Sequence, residues 1–106
     1  MRLVALAVLA ALANPTAQAA RVSVFGDGAG SSCGNWLGER SKGADYPKSN
    51  WILGYISGAV SWGGLGNPLG VTDPDGVLFW LEKFCRANPA APFSDAADNF
   101  IRTFRD

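Results

Sequence analysis

The sequence predicts an all-α fold, a small single domain of about four short helices tied by one disulfide. Three observations carry this. Every long periodic segment places its apolar residues at helical spacing, glycines and prolines punctuate the chain between those segments, and the two cysteines fall on different segments.

The chain opens on a leader. Arg2 gives one positive charge, Leu3 to Ala13 runs without a polar residue, and Asn14-Pro15 breaks the run. Ala17-Gln18-Ala19 then offers small residues at both positions a signal peptidase reads, so residues 1–19 are expected to be a cleaved signal peptide. A bilayer-spanning helix needs roughly 20 apolar residues. The run from Leu3 falls well short of that, and no later segment is apolar enough, so no membrane span is expected after signal cleavage.

Residues 20–31 read as an extended arm or linker. Arg21 to Phe25 alternates partly, as a short strand or an extended arm would, and Gly26-Asp27-Gly28-Ala29-Gly30-Ser31-Ser32 is turn material. Its glycines resemble part of a phosphate-cradling loop, but no Lys-Ser/Thr follows them, so that motif fails.

The helical domain is expected over residues 32–106. Ser32 suits a helix N-cap, and Cys33, Trp36 and Leu37 recur at helical spacing up to about Arg40, weakened by Gly34 and Gly38. After a connection over Ser41 to Pro47, a second helix places Trp51, Ile52, Tyr55, Ile56, Ala59 and Val60 on one side. Gly54 and Gly58 interrupt it at about 1 kcal/mol each against alanine, and close approach of a neighbouring backbone is the expected compensation. Gly63 to Gly70, with Asn67-Pro68, forms a loop. Asp73 then caps a third helix with Pro74 in its first turn, and Val77, Leu78, Leu81, Phe84 and Cys85 share a face. That helix ends near Asn88, before Pro89 and Pro92. A fourth begins at about Ser94, taken as its cap, with Ala96, Ala97, Phe100, Ile101 and Phe104 as its apolar stripe.

Cys33 and Cys85 both follow the leader, and an even count in an oxidising compartment argues for one bridge between them. It joins the first helix to the third, and the chain-entropy treatment of so long a loop gives about 4 kcal/mol.

Composition narrows the chemistry. Without Arg2 the nine basic residues become eight against nine acidic ones, scattered rather than in runs, so no nucleic-acid partner is expected. There is no histidine, which removes Ser-His and Cys-His catalysis and the commonest metal ligand. Paired cysteines cannot complete a zinc site. No metal or cofactor is therefore expected. Carboxylate catalysis leaves Asp73, Asp75 and Glu82 as candidates, but capping explains Asp73 and Asp75 more simply, and a non-enzymatic domain is the expectation.

Four tryptophans are many for this length. Trp36 and Trp51 lie on periodic faces and belong in the core. Trp62 borders the glycine-rich loop and Trp80 falls off the main stripe of its helix. Together with Leu65 and Leu69 they are the candidate partner-binding residues, an apolar patch suited to gripping another protein. The competing reading closes them over the core beneath the loop.

The runs Ser32-Cys33-Gly34-Asn35-Trp36-Leu37, Trp51-Ile52-Leu53-Gly54-Tyr55-Ile56-Ser57-Gly58 and Phe84-Cys85-Arg86-Ala87-Asn88-Pro89 resemble, in order and content, the small periplasmic proteins of the HdeA type. A similar plan belongs to immunity proteins that neutralise type VI secretion effectors. The first resemblance implies a Gram-negative periplasmic helical domain that loosens at low pH and holds unfolded clients, a stress-response chaperone. The second implies a domain that binds one secreted toxin.

Overall fold

The structure is a computed structural model describing residues 24–63, 70 and 72–105. The expected signal peptide, Leu65 and Leu69 lie outside the described residues. Among those described, four helices follow in order: α1 (Cys33–Ser41), α2 (Tyr46–Trp62), α3 (Pro74–Ala87) and α4 (Phe93–Phe104). No strand accompanies them; Ser32 and Pro92 form an isolated antiparallel bridge. The all-α expectation holds.

Three helix starts, those of α1, α3 and α4, show how free N–H groups find partners. Ser32 caps α1, its Oγ accepting the Asn35 N–H at 3.1 Å. The first two amides of α1 reach further, Cys33 donating to the Ala91 carbonyl and Gly34 to the Pro89 carbonyl, both at 2.8 Å. Glycine suits position 34, where a Cβ would lie a tight 3.2 Å from the Pro89 oxygen. At the other end, Gly43 adopts a φ of +70°. Gly43 donates to the Arg40 carbonyl and Ala44 to the Glu39 carbonyl, the paired bonds of a Schellman stop. The chain therefore re-enters a helix at Tyr46, slightly earlier than expected, with Pro47 in the first turn of α2.

Asp73 caps α3 as expected, accepting the Gly76 N–H at 2.8 Å with Pro74 directly after it. Ser94 is a correction. The cap position of α4 is Pro92, and Ser94 stands inside the first turn. The reason is tertiary: the Phe93 amide donates to the Ser31 carbonyl at 2.8 Å, so a distant backbone oxygen serves the helix end and no side-chain cap is needed.

The core joins all four helices. Trp36, Ile52, Ile56, Val77, Leu81 and Phe93 are fully buried, with Ala96, Ala97 and Phe100 beside them. Trp36 and Phe93 meet with ring centroids 4.8 Å apart. The Cys33–Cys85 bridge is present, its sulfurs 2.13 Å apart and both cysteines fully buried. It fastens the start of α1 to the end of α3, beside the strap of backbone bonds from residues 89–93.

Two expectations about glycine change. Gly26–Ser31 is a packed turn rather than a free linker: Ala29 donates to Gly26 and Ser31 to Gly28, and Gly28 is buried. The turn lies across Trp51, whose indole N–H donates to the Phe25 carbonyl at 2.8 Å. A Cβ at Gly26 or Gly28 would stand 2.3 or 2.1 Å from the indole ring. Gly54 and Gly58, in contrast, are exposed, and a Cβ at either would meet nothing within 4 Å. No backbone packs on them, because the buried stripe of α2 runs through Ser49, Ile52 and Ile56 on the other side.

Candidate functional site

Trp62, at the last turn of α2, is 92% exposed. Trp80 is different. It is half-buried on the side of α3 that meets α4, stacked on Phe84 at 6.0 Å and set edge-on to Phe100 at 5.4 Å and Phe104 at 5.9 Å. Of the two tryptophans singled out from sequence, one presents its whole surface and the other is part of the α3–α4 seam.

Among the described residues four other large side chains are exposed, Phe25, Tyr46, Phe79 and Phe104, none of them expected as part of a binding surface. Phe79 had a legible signal, since it lies two residues after Val77 and so off the Val77-Leu81-Cys85 stripe. Lys83, one turn on, lies over its ring at 4.8 Å. Phe104 carried the opposite signal, sitting on the apolar stripe of α4, but the helix ends there and leaves the ring at the rim of the seam.

A polar cleft of about 500 Å³ lies between α1 and α3, lined by Leu37, Arg40, Ser41, Asp45, Glu82 and Arg86. Arg40 organises it. Its Nη1 donates to Asp45 Oδ2 at 3.1 Å, its guanidinium stands 5.1 Å over the Trp36 ring, and its Nε faces Glu82 Oε1 at 3.6 Å. That last separation is an ion pair too long for a hydrogen bond, and Nε is buried without a hydrogen-bond partner. Glu82 also accepts the charge of Arg86, at 3.3 Å. Outside the cleft, Lys48 pairs with Glu39.

From this cleft a hydrogen-bonded chain runs into the core. Trp36 Nε1 donates to Ser49 Oγ at 3.0 Å, and Ser49 donates to Asp45 Oδ2. The Ser49 hydroxyl, together with Asp45's own backbone and Arg40, holds the Asp45 carboxyl below its ordinary value against an opposing effect of burial. On the α2–α4 side, Tyr55 donates to Asp98 at 2.7 Å. Burial first, then the Asp98 hydrogen bond and the charges of Asp98 and Asp95, push the Tyr55 phenol up to about 12.

The carboxylates considered for catalysis do not converge. Asp73 is the cap of α3, Asp75 is exposed in the same first turn, and Glu82 is shared between two guanidiniums. Among the described residues no group of three or more metal-ligating side chains comes together, and no helix is long and apolar enough to cross a membrane.

Neither protein-family models nor characterised proteins nor solved structures give a match to this chain.

Proposed function

We propose that this domain works by binding other proteins, with Trp62 as its anchor, and that it is exported to the periplasm, where it holds unfolding clients when acid loosens its fold. The observation that carries the binding reading is the 92% exposure of Trp62 at the end of a long helix. Tryptophan combines a large apolar area with few rotatable bonds, so it dominates binding energy where it is presented and adds nothing to stability while it stands in water.

Support for the acid response comes from the polar cleft. Asp45 accepts from Arg40 and Ser49, and Ser49 in turn accepts from Trp36, so one carboxylate ties the α1–α2 connection to the core. Its pKa is lowered, so it stabilises the fold above the ordinary carboxylate range and loses that contribution as pH falls through its lowered value. The Cys33–Cys85 bridge would keep α1 and α3 together in the loosened form. The α3–α4 seam of Trp80, Phe84, Phe100 and Phe104 would then supply fresh aromatic surface for a client.

A second reading, immunity-type binding of one folded toxin, is favoured by the same tryptophan being exposed without any loosening. Light scattering separates the two. A holding chaperone suppresses aggregation of unrelated proteins such as citrate synthase as the pH is lowered, and Trp62→Ala weakens that protection. Failure to suppress aggregation at any pH, with the fold demonstrably loosened, removes the client-holding reading.

A further inference from the structure

We infer that the shallow recess between the Gly26–Asp27 turn and the first turns of α2 is a subsite for a neutral saccharide ring. The recess has a volume of about 550 Å³ and is lined by Gly26, Asp27, Tyr46, Pro47, Asn50 and Trp51. It lies apart from Trp62 in the chain and does not depend on the protein-binding reading.

Its walls are fixed by the packing already described. The glycine turn is held against Trp51 by the indole N–H bond to Phe25 and by the absence of Cβ atoms at positions 26 and 28. On α2, Tyr46 and Asn50 are four residues apart, as are Pro47 and Trp51, so the four side chains form two adjacent columns on one helix face. Tyr46 is 75% exposed despite its aromatic ring.

The chemistry of these groups selects the ligand. A pyranose ring has an apolar face of C–H groups and a rim of hydroxyls. Tyr46 offers a ring on which the apolar face can lie, as aromatic side chains do for flat, partly apolar partners. At the rim, the Asn50 amide both donates and accepts, and the Asp27 carboxylate accepts. Asp27 forms no ion pair with another described residue. Among the described residues no cation lines the recess, so an anionic ligand would meet the Asp27 carboxylate without a compensating charge from them. A cationic ligand would find Asp27, but an aromatic cage requires several open ring faces, and the Trp51 indole is already covered by the glycine turn. A hydroxyl-rich neutral ring satisfies the amide, the carboxylate and the single open aromatic face together.

The test is a ¹H–¹⁵N NMR titration of the oxidised protein with chitotriose, cellotriose and maltotriose in turn, and with tetramethylammonium chloride. The expected result is saturable shifts confined to Gly26, Asp27, Tyr46, Asn50 and the Trp51 indole for at least one trisaccharide, with a Kd of about 1 mM or tighter. Tyr46→Ala and Asn50→Ala each weaken it at least about tenfold, a loss of about 1.4 kcal/mol of binding, while thermal unfolding stays unchanged because both residues are exposed. Absence of localised shifts with all three sugars overturns the inference. So does saturation of the same signals by tetramethylammonium alone, abolished in Asp27→Asn, which would make the recess a cation site.

Discussion

Trp36 and Ser49, thirteen positions apart on α1 and α2, meet in the core with the indole N–H donating to the hydroxyl at 3.0 Å. The hydroxyl proton is committed to Asp45, so Ser49 accepts from one neighbour and donates to the other. Ser49→Ala removes both bonds and leaves a buried indole N–H without an acceptor. The expected cost is about 1–3 kcal/mol, read from the urea midpoint at neutral pH with an unchanged m-value.

The same serine is the largest cause of the lowered Asp45 pKa. A carboxyl held below its unfolded value stabilises the fold above that value, and the contribution fades as pH falls through the folded value. The wild type should therefore lose stability as pH drops below the ordinary aspartate value of 3.8. Asp45→Asn should be less stable at pH 7 and show a shallower loss in that acid window. Urea unfolding at a series of pH values checks this; parallel curves for the two proteins would assign the acid response to other carboxylates.

The four helices and two of the three expected caps were legible from residues alone because each depends on neighbours in the chain, and the bridge was legible because two cysteines 52 positions apart allow only one pairing. What was not legible depends on contacts remote in sequence. Ser94 is displaced as a cap by the Ser31 carbonyl, and the Gly26–Ser31 turn is ordered by Trp51 on α2. Trp80 left the main stripe of α3 because that helix packs against more than one neighbour. Val77, Leu81 and Cys85 enter the central core, whereas Trp80, stacked on Phe84, extends the contact to Phe100 and Phe104. A single periodic stripe describes a helix with one buried face and misreads one with two.

Gly54 and Gly58 stand in helical backbone with open space where a Cβ would go. Each Gly→Ala change should raise stability by about 1 kcal/mol, from the lower backbone entropy of the unfolded chain. The double variant should approach the sum. Differential scanning calorimetry checks it, and a destabilised variant would show that the added methyl groups meet a neighbouring part of the fold in solution.

Burial and its bond to Asp98 favour the neutral phenol of Tyr55 and push its pKa up to about 12. A group whose folded value is raised contributes stability below its unfolded value of 10 and loses it as pH climbs through the folded one. Stability should therefore fall between about pH 10 and 12. Tyr55→Phe should flatten that fall while costing some stability at pH 7, where Asp98 loses its donor. Fluorescence-monitored unfolding at alkaline pH measures both effects.

Trp62 and Trp80 should separate in a pair of alanine variants. Trp80 touches Phe84, Phe100 and Phe104. Its removal leaves a gap at the α3–α4 seam and should cost up to about 3–5 kcal/mol, the range for large aromatic truncations, reduced because the ring is only half-buried. That is a large share of the total stability of a small domain, about 5–15 kcal/mol, so any loss of binding in Trp80→Ala would be confounded by loss of fold. Trp62, 92% exposed, makes almost no folded-state contacts to lose, and Trp62→Ala should leave the thermal midpoint within about 2–4 °C, as surface substitutions do. Binding lost in Trp62→Ala at an unchanged midpoint is therefore attributable to the surface itself. A midpoint lowered by many degrees would instead show that Trp62 is packed in solution, which would remove it as the anchor.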